Sequence, residues 1–452
     1  MTDSIFIKHA VVCTFDKNHS ETPNIIDDGA VVTSNQQIVS VGKTEDLAKD
    51  FRQTDTVIDA SGKIVIPGLV SAHTHIAATF LRGLLEDIDN HFYGYALPLE
   101  EYLTQDAVFK FSLLGAVEAL KYGITCINDI YHYSEATAKA VSQVGLRAVI
   151  AHKVFDANLS KIKDGSYERS LESGIKRLRT NEKLVKEWNG GSNQRISCRI
   201  GPHAPDTCSP ELLRASRESA KRLGVGIHMH LSQSQKEVEY IRRNYNKSSV
   251  EYANDLGLLD SDTVAAHAIF ASETDLEILK RKDVAIVQCP SIYGKVGVFP
   301  KFTRMLNDGI RLGLGTDWLS MDIWDNLRQA IGINRILSSS KSLSATKVLQ
   351  LATVGSARVL KKDHEIGALF PSMKADIVLL NGKGSHMRPL RNPIQNLVYY
   401  ANMNDIDTVI VDGQIVVEKG QIKTVNEEDI VADAQASAEQ IWPKIPYPSI
   451  IK

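Results

Sequence analysis

The chain has 452 residues, of which 43% are hydrophobic and 23% are charged. This composition is typical of a soluble globular protein and excludes a disordered or fibrous chain. The 52 basic residues nearly balance the 54 acidic ones, and the formal net charge of −2 argues against a large nucleic-acid-binding surface. No apolar run approaches the ~18 residues of a membrane span, and no signal-peptide pattern follows Met1. We therefore expect a cytoplasmic protein with no nucleic-acid or membrane partner.

Short strands separated by polar turns are predicted at both ends of the chain. The N-terminal strands cover residues 4–15, 29–33, 38–41 and 56–60. The C-terminal strands cover residues 375–380, 408–413 and 414–417. We expect residues 1–61 and 372–430 to form one small β-sandwich domain. A C-terminal helix and tail are expected over residues 431–452.

Between these ends, short apolar runs alternate with amphipathic helical segments, which is the pattern of repeated β-α units. The eight runs are Ile64–Ile66, Thr125–Ile127, Ala148–Ile150, Ile196–Ile200, Gly226–His230, Thr263–Ala266, Ala285–Val287 and Leu312–Leu314. Helices are expected between them, for example over Leu212–Leu223 and Glu273–Lys282. Eight such units predict an α/β fold with a (β/α)8 TIM barrel over residues 62–371.

Side chains able to bind a metal stand at the ends of several predicted strands, where the active site of a barrel lies. His73 and His75 are two residues apart on an extended segment, so both imidazoles point to the same side. One such pair is a weak signal, but further candidates follow the fifth, sixth and eighth runs. They are His228, His230, His267 and Asp317. Imidazole and carboxylate groups are ligands for Zn²⁺, and also for Fe or Mn.

Five ordered segments resemble the amidohydrolase superfamily, in the branch with adenosylhomocysteine and methylthioadenosine deaminases, guanine deaminase and triazine chlorohydrolases. The segments are Pro67–His75, Gly201–Pro205, His228–Ser232, Ala266–His267 and Gly315–Asp317. The resemblance covers nearly the whole chain and includes residues 366–379, where that family returns to its small β domain. It implies an enzyme that works with one divalent metal ion, with Zn as the first choice and Fe or Mn as alternatives.

The resemblance also implies a role for each matching residue. The implied metal ligands are His73, His75, His230 and Asp317. His267 would polarise the bound water or the substrate, Asp317 would take the proton of that water, and His203 would contact a substrate heteroatom. His228 would either support a ligand or pack within the barrel, and we favour packing. Relatives with two metals have a modified lysine after the fourth strand, and residues 196–204 contain no lysine, so we expect one ion.

The implied chemistry is hydrolysis. A divalent ion lowers the pKa of coordinated water from 15.7 toward ~7 and so supplies hydroxide at neutral pH. We predict that this hydroxide attacks an electron-poor carbon of a small nitrogen heterocycle and breaks a non-peptide C–N bond or a C–halogen bond. Two alternatives are a cyclic-amide hydrolase with two metal ions and a catalytically silent binding protein of the same fold. Relatives are commonly oligomeric, so a homo-oligomer is expected.

Gln233 departs from the pattern of the deaminating relatives, which have a glutamate there that protonates the ring nitrogen beside the attacked carbon. An amide donates hydrogen bonds but gives up no proton at pH 7. General acid–base catalysis contributes about 10²–10⁴-fold, so the change is serious for the mechanism. Three interpretations compete. Either the substrate needs no ring protonation, or another acid replaces the glutamate, or the site catalyses little. The candidate acids are Glu86, Asp87, Asp322 and Asp325.

Two further departures concern the substrate. The acidic segment with which relatives recognise ribose is shortened, because residues 82–87 lead almost directly to residues 96–101. This puts nucleoside specificity in question. Trp318 stands where relatives have small residues, so it either stacks on a flat substrate ring or packs between loops. The aromatic residues within 91–95 are further candidates for the mouth of the site.

Overall fold

The N-terminal part of the chain forms strands, as predicted. A computed structural model describes residues 4–15, 23–48, 56–88, 91–338 and 343–444. Its first elements are β1 Ser4–Cys13, β2 Ile25–Ser34, β3 Gln37–Lys43, helix α1 Thr44–Leu47, β4 Thr56–Asp59 and β5 Lys63–Pro67. The side chains of β1 and β2 alternate only in part between buried and exposed positions, because register shifts interrupt their antiparallel pairing.

A ring of parallel strands follows. Its strands are β6 Leu69–Thr74, β7 Ile124–Tyr131, β8 Arg147–Val154, β9 Ile196–Cys198, β10 Gly201–Pro202, β11 Ile227–Leu231, β12 Thr263–His267, β13 Ala285–Gln288 and β14 Leu312–Leu314. The short strands β9 and β10 both pair with β8 and together occupy the fourth position. Every residue of β7 and β8 is buried, as expected for parallel strands covered on both sides.

Two parallel bridges join the two arcs of this ring. The first arc runs from β6 to β10 and the second from β11 to β14. Ile200 bridges to Ile227 at one seam, and Thr74 bridges to Asp317 at the other. The carboxyl ends of all eight positions therefore face the same end of the barrel, and the predicted fold class is confirmed.

Helices surround the ring. They are α2 Leu97–Glu100, α3 Gln105–Lys121, α4 Ser134–Val144, α5 Leu171–Trp188, α6 Gly191–Gln194, α7 Pro210–Leu223, α8 Gln235–Tyr245, α9 Ser249–Asp255, α10 Glu273–Arg281, α11 Pro290–Val296, α12 Phe302–Asn307, α13 Ile323–Ser338, α14 Ala345–Gln350 and α15 Ser356–Val359. Helical turns of 3-10 or π type cover Ile76–Leu81, Phe92–Ala96, Leu159–Asp164 and Leu351–Gly355. Helix α7 shows why such segments end where they do. The Ser209 hydroxyl accepts the Leu212 N–H at its start, and Gly224 takes a left-handed conformation at its end.

The first barrel strand is not the predicted one. Residues 64–66 lie in β5, which pairs with β1 and not with a barrel strand. The chain enters the barrel only after Pro67-Gly68, at Leu69. Gly68 passes so close to β7 that a Cβ there would lie 2.0 Å from the Thr125 hydroxyl. The apolar run and the strand that carries His73 are therefore two elements separated by a tight crossing.

The C-terminal part returns to the first sheet. Its elements are β15 Ile377–Asn381, α16 Pro393–Tyr400, β16 Ile406–Val411, β17 Gln414–Glu418, β18 Gln421–Ile422 and α17 Glu427–Ile441, with 3-10 turns at Ser385–Met387, Met403–Asp405 and Trp442–Lys444. Strand β15 pairs antiparallel with β5, so strands from both chain ends form one continuous nine-stranded sheet. The order along it is β18-β17-β16-β15-β5-β1-β2-β3, with β4 also on β1. The small β domain has an apolar core of its own.

The C-terminal helix packs on the barrel of its own chain. Ile441 is buried, the Trp442 indole N–H donates to the Phe80 carbonyl at 2.8 Å, and Lys121 of α3 pairs with Glu427 at 2.7 Å. The rest of the apolar tail, residues 445–452, lies outside the described residues. Among the helices that the structure describes, none is long and apolar enough to cross a membrane.

A buried ionic network fastens the terminal sheet to the barrel. Arg147, at the start of β8, donates two hydrogen bonds to the Asp376 carboxylate at 2.9 and 3.0 Å and one to Asp412 at 3.0 Å. The Arg147 side chain is completely buried, and Asp376 is 1% exposed. Removal of one partner would leave an uncompensated charge in the interior, which costs far more than the pair itself contributes.

We predict that Arg147→Met lowers the free energy of unfolding by about 3–5 kcal/mol, because it leaves the buried Asp376 carboxylate without its cation and Asp412 with Lys374 alone. Urea denaturation followed by circular dichroism measures the loss. The matched control is Arg304→Met on α12, whose side chain is 52% exposed, and it should change stability by less than about 0.5 kcal/mol. Equal effects of the two substitutions would show that the network does not hold the two domains together.

Candidate active site

Five ionisable side chains from four strand ends converge inside the mouth of the barrel. His73 and His75 come from β6, His230 from β11, His267 from the end of β12, and Asp317 from the segment after β14. Nitrogen and oxygen atoms of His73, His75 and His230 lie within 4.8 Å of one another, and so do those of His73, His267 and Asp317. The structure thus brings together all four side chains predicted as metal ligands.

The hydrogen bonds of His75 and His230 leave two nitrogen lone pairs facing each other. The Nδ1–H of His75 donates to the Ile130 carbonyl at 2.6 Å, and the Nδ1–H of His230 donates to the His203 carbonyl at 2.9 Å. The proton of each neutral ring is therefore on Nδ1. Their Nε2 atoms lie 3.1 Å apart with no proton between them. A cation that accepts both lone pairs resolves this repulsion, so the donor set fits a metal ion.

His228 supports His73 directly. The Nε2 of His228 lies 2.8 Å from the Nδ1 of His73. When the Nδ1–H of His73 donates this bond, the His73 Nε2 is a free lone pair directed at the cluster. That buried Nε2 has no hydrogen-bond partner among the described residues and lies 3.4 Å from an Asp317 oxygen. The hydrogen bond to His73 favours the supporting role of His228 over packing alone.

Burial keeps these imidazoles neutral. Loss of solvent lowers the pKa of His73 and His75 well below the usual value, and positive charge on their histidine neighbours lowers it further. Burial lowers the pKa of His230 to about 4 and that of His267 to about 3, although Asp317 acts in the opposite direction. Neutral imidazole is the form that binds a metal, so the cluster is ready to do so at pH 7.

Asp317 is fixed by a close approach of two strands. Its N–H donates to the His73 carbonyl at 3.1 Å, and its own carbonyl accepts the His75 N–H at 3.0 Å. Gly315 permits this approach, since a Cβ there would lie 2.6 Å from the His73 carbonyl oxygen. Both Asp317 (φ 59°) and His267 (φ 80°) have the left-handed backbone that non-glycine residues rarely adopt. Such strain costs about 1–3 kcal/mol per residue and clusters at functional sites.

His267 stands at the edge of the cluster. Its Nε2 lies 3.8 Å from an Asp317 carboxylate oxygen, and its Nδ1 lies 3.2 Å from the hydroxyl of buried Tyr293. Burial raises the pKa of the Asp317 carboxyl, and His267 and His230 oppose this shift. Sequence reasoning did not identify Tyr293, because nothing in residues 288–293 indicates that this tyrosine reaches back to β12.

A cavity of about 290 Å³ opens in front of the cluster. This volume is at the lower end of the range for ligand sites, so it suits a compact ligand. His203 lines the cavity, and its Nδ1–H donates to the Thr207 hydroxyl at 2.8 Å, which leaves its Nε2 as an acceptor. Trp318 also lines it, stacked on His91 at 5.8 Å and edge-on to Phe92 at 5.7 Å. Trp318 therefore packs between loops and also lines the cavity, while its stacking on a substrate ring stays a prediction.

Gln233 lies in the wall of the same cavity. Its side-chain nitrogen is buried and has no hydrogen-bond partner among the described residues. The loop is held from behind by Glu237, whose carboxylate accepts the backbone N–H of Ser232 at 2.8 Å and of Gln233 at 2.9 Å. Burial, with the nearby charge of Asp206, raises the pKa of Glu237 to about 8. Gln233 therefore has a free donor at the position where the deaminating relatives have an acid.

The four acids considered as replacements do not line this cavity. Glu86 and Asp87 are exposed, Asp322 caps the start of the α13 region through the Asp325 N–H at 2.9 Å, and Asp325 accepts a bond from Ser291 at 2.6 Å. Besides Asp317 and several histidines, the cavity is lined by an acid and a base that sequence reasoning missed, Glu100 and Lys153. The only signal was the position of Lys153 near the end of the third barrel strand.

A second, larger cavity of about 900 Å³ lies outside β8, next to α5. Glu100 lines both cavities, and His132 and His152 line the outer one. Within the described part of the chain, the groups of three or more metal-capable side chains all lie in the cluster around His73. The smaller cavity is therefore the one positioned for chemistry.

We predict that His228→Leu weakens zinc binding about 10–100-fold, because partners that orient a ligating histidine typically contribute that much to affinity. Competition with a chromophoric chelator measures the affinity. The matched control is His152→Leu, another buried histidine of the barrel, on β8, which should leave zinc affinity within about threefold. Unchanged affinity in both variants would mean that His228 only packs.

Comparison with known proteins agrees with this geometry. The profile of the Amidohydrolase family matches residues 64–416. A 5'-deoxyadenosine deaminase from Methanosarcina barkeri is 34% identical over 450 residues, covering 98% of this chain and 99% of the relative. A 5-methylthioadenosine/S-adenosylhomocysteine deaminase from Caldanaerobacter subterraneus subsp. tengcongensis is 34% identical over 397 residues, covering 86% and 89%.

The fold recurs in a solved structure. A zinc-bound adenosine deaminase from Xanthomonas campestris superposes with a TM-score of 0.88 at 24% identity, covering 98% of this chain and 99% of that one. The predicted fold and the predicted class of enzyme, a hydrolase of the amidohydrolase type, are confirmed. This chain belongs to the amidohydrolase family.

Proposed function

We propose that the protein is a divalent-metal-dependent aminohydrolase that removes an exocyclic amino group from a nitrogen heterocycle of the aminopurine class. The observation that carries the proposal is the pair of imidazole Nε2 atoms 3.1 Å apart, on rings that both donate from Nδ1, directly in front of a compact cavity. The substrate class is supported by the relatives, which are named as deaminases of adenosine derivatives. The overall reaction consumes one water and releases ammonia, and a carbonyl replaces the C–NH2 group.

We assign one metal ion to His73, His75, His230 and Asp317. Zinc is the first choice, because imidazole and carboxylate suit it and a protein of this fold was crystallised with it. When bound, a divalent ion supplies an activated water at neutral pH. The absence of lysine from residues 196–204 supports one ion over two.

The chain's own residues would act around that centre. The Asp317 carboxylate would take a proton from the attacking water. His267 stabilises charge that develops at the attacked carbon. The free Nε2 of His203 accepts a hydrogen bond from the ring, and Trp318 stacks on it. The Gln233 amide donates to a ring nitrogen, but it cannot deliver a proton.

The inability of Gln233 to deliver a proton favours a second reaction, the hydrolysis of a C–Cl bond. Chloride leaves a heterocyclic carbon without taking a proton, whereas an amine leaves as ammonia only after it is protonated. A site with Gln233 in place of an acid therefore also suits a ring C–Cl bond, because chloride needs no proton in order to leave. Chlorinated analogues of each aminopurine belong in the same substrate panel.

We predict that the zinc-loaded protein contains about one ion per chain and hydrolyses at least one aminopurine or chloropurine. The double variant His73→Ala/Asp317→Asn should lose both the ion and turnover, because it removes two of the four assigned donors. Metal analysis and ammonia or chloride release are the measurements. A metal content below about half an ion in the supplemented wild-type protein would contradict the assignment, and two ions per chain would favour cyclic-amide hydrolysis.

We predict that Gln233→Glu raises deamination of aminopurines, by up to about 10²–10⁴-fold if the missing acid limits the wild-type protein. The same substitution should raise chloride release less, since chloride needs no proton in order to leave. Gln235→Glu, on the exposed neighbouring position, is the matched control for added charge. No gain on any aminopurine would show that the reaction does not depend on an acid at this position.

A further inference from the structure

An ion pair forms part of the cavity wall. Lys153, near the end of β8, donates from Nζ to a carboxylate oxygen of Glu100 at 2.6 Å, and the same oxygen lies 2.9 Å from the Nε2 of His132. The Lys153 side chain is 2% exposed and that of Glu100 is 7% exposed. Both residues line the 290 Å³ cavity together with His203 and Gln233.

The partners of Glu100 stabilise its charged form. Burial alone would raise the pKa of Glu100, but Lys153 and His132 outweigh it and hold this pKa far below its usual value. The ammonium also lies 5.8 Å from the centre of the Tyr131 ring, which adds a weak cation–π attraction. Lys153 is therefore a fixed positive charge inside the cavity.

The ammonium has more donors than the protein satisfies. It carries three N–H groups, and within the described residues Glu100 is its hydrogen-bond acceptor. An unsatisfied donor on a buried charge costs free energy, so a group in the cavity should accept from it. Stability does not explain the pair, since apolar residues of similar volume are often as stable as a buried ion pair.

We propose that Lys153 determines substrate specificity by donating a hydrogen bond to an oxygen on the substrate. This inference rests on the proposed function and names the substrate group that the same site selects. The oxygen is either a hydroxyl on a sugar substituent or a carbonyl on the ring, which share the ability to accept from an ammonium. Glu100 holds the ammonium in place and balances its charge, so an uncharged oxygen group is favoured over a carboxylate.

Two pairs of probes distinguish the sources of the oxygen. Adenosine and 2',3'-dideoxyadenosine differ in the sugar hydroxyls, and isoguanine and adenine differ in one ring carbonyl. We expect the wild-type protein to favour the oxygen-bearing member of one pair. Lys153→Met should lower kcat/KM for that member about 10–100-fold, as expected for a hydrogen bond to a charged group. The loss on the other member of the pair should be less than about threefold.

Two further variants distinguish a loss of specificity from a general loss of activity caused by disturbed structure. Glu100→Gln/Lys153→Met leaves no unpaired charge and should show the same selective loss. Lys280→Met, at an exposed position of α10, should change neither member of either pair. An equal loss on both members of each pair, or no preference in the wild-type protein, would overturn the proposal and leave the ion pair a structural role only.

Calorimetric titration of the zinc-loaded protein with the same four compounds keeps this test independent of turnover. If none of them is hydrolysed, the proposed function is wrong for this class, and the binding preference still tests Lys153. The oxygen-bearing member of one pair should bind at least about tenfold more tightly, and Lys153→Met should remove that difference. Equal affinities in wild-type and variant proteins would overturn the inference.

Discussion

Two imidazole nitrogens 3.1 Å apart, each with a lone pair and neither with a proton, impose the central constraint on this molecule. Backbone carbonyls of Ile130 and His203 fix the tautomers that produce the repulsion. The barrel holds it in place, because β6 and β11 lie in different arcs and the bridges at both seams keep the arcs together. A fold that maintains such an arrangement without a cation would be destabilised by it. The donor set therefore fits a cation, which would remove the repulsion between the two lone pairs.

Much of the site could be predicted because its histidines recur at the two-residue spacing of side chains on one face of a strand. His73 and His75, like His228 and His230, are two residues apart on strands, and the alternation of strand side chains settles which of them share a direction. The eight-unit pattern then places strand ends together without any knowledge of contacts. The one strand placed wrongly, residues 64–66, is as apolar as a barrel strand. Only the crossing at Gly68 separates it from β6, the first strand of the barrel.

The residues that sequence reasoning missed act through contacts between distant segments. Glu100 and Lys153 meet from a short helix and a strand end, and nothing in either neighbourhood indicates the partner. Tyr293 reaches His267 across two barrel strands, and the role of His228 depends on a neighbour in the other arc. The presence of Gln233 in place of an acid can be read from the sequence, but its effect on catalysis depends on the residues that surround it. The structure surrounds it with the Lys153–Glu100 ion pair, several histidines and aromatic rings.

The mixed origin of the terminal sheet has a consequence for how the chain is made. Strand β5 is among the first elements to leave the ribosome, but its antiparallel neighbour β15 emerges only after the whole barrel has been synthesised. Until then β5 presents an unpaired edge, which is the kind of surface on which nascent chains associate. Closure of the sheet requires contacts between the two ends of the polypeptide, and such long-range pairing is slow. Chaperone binding during synthesis would be most useful in that interval, before β15 covers the edge.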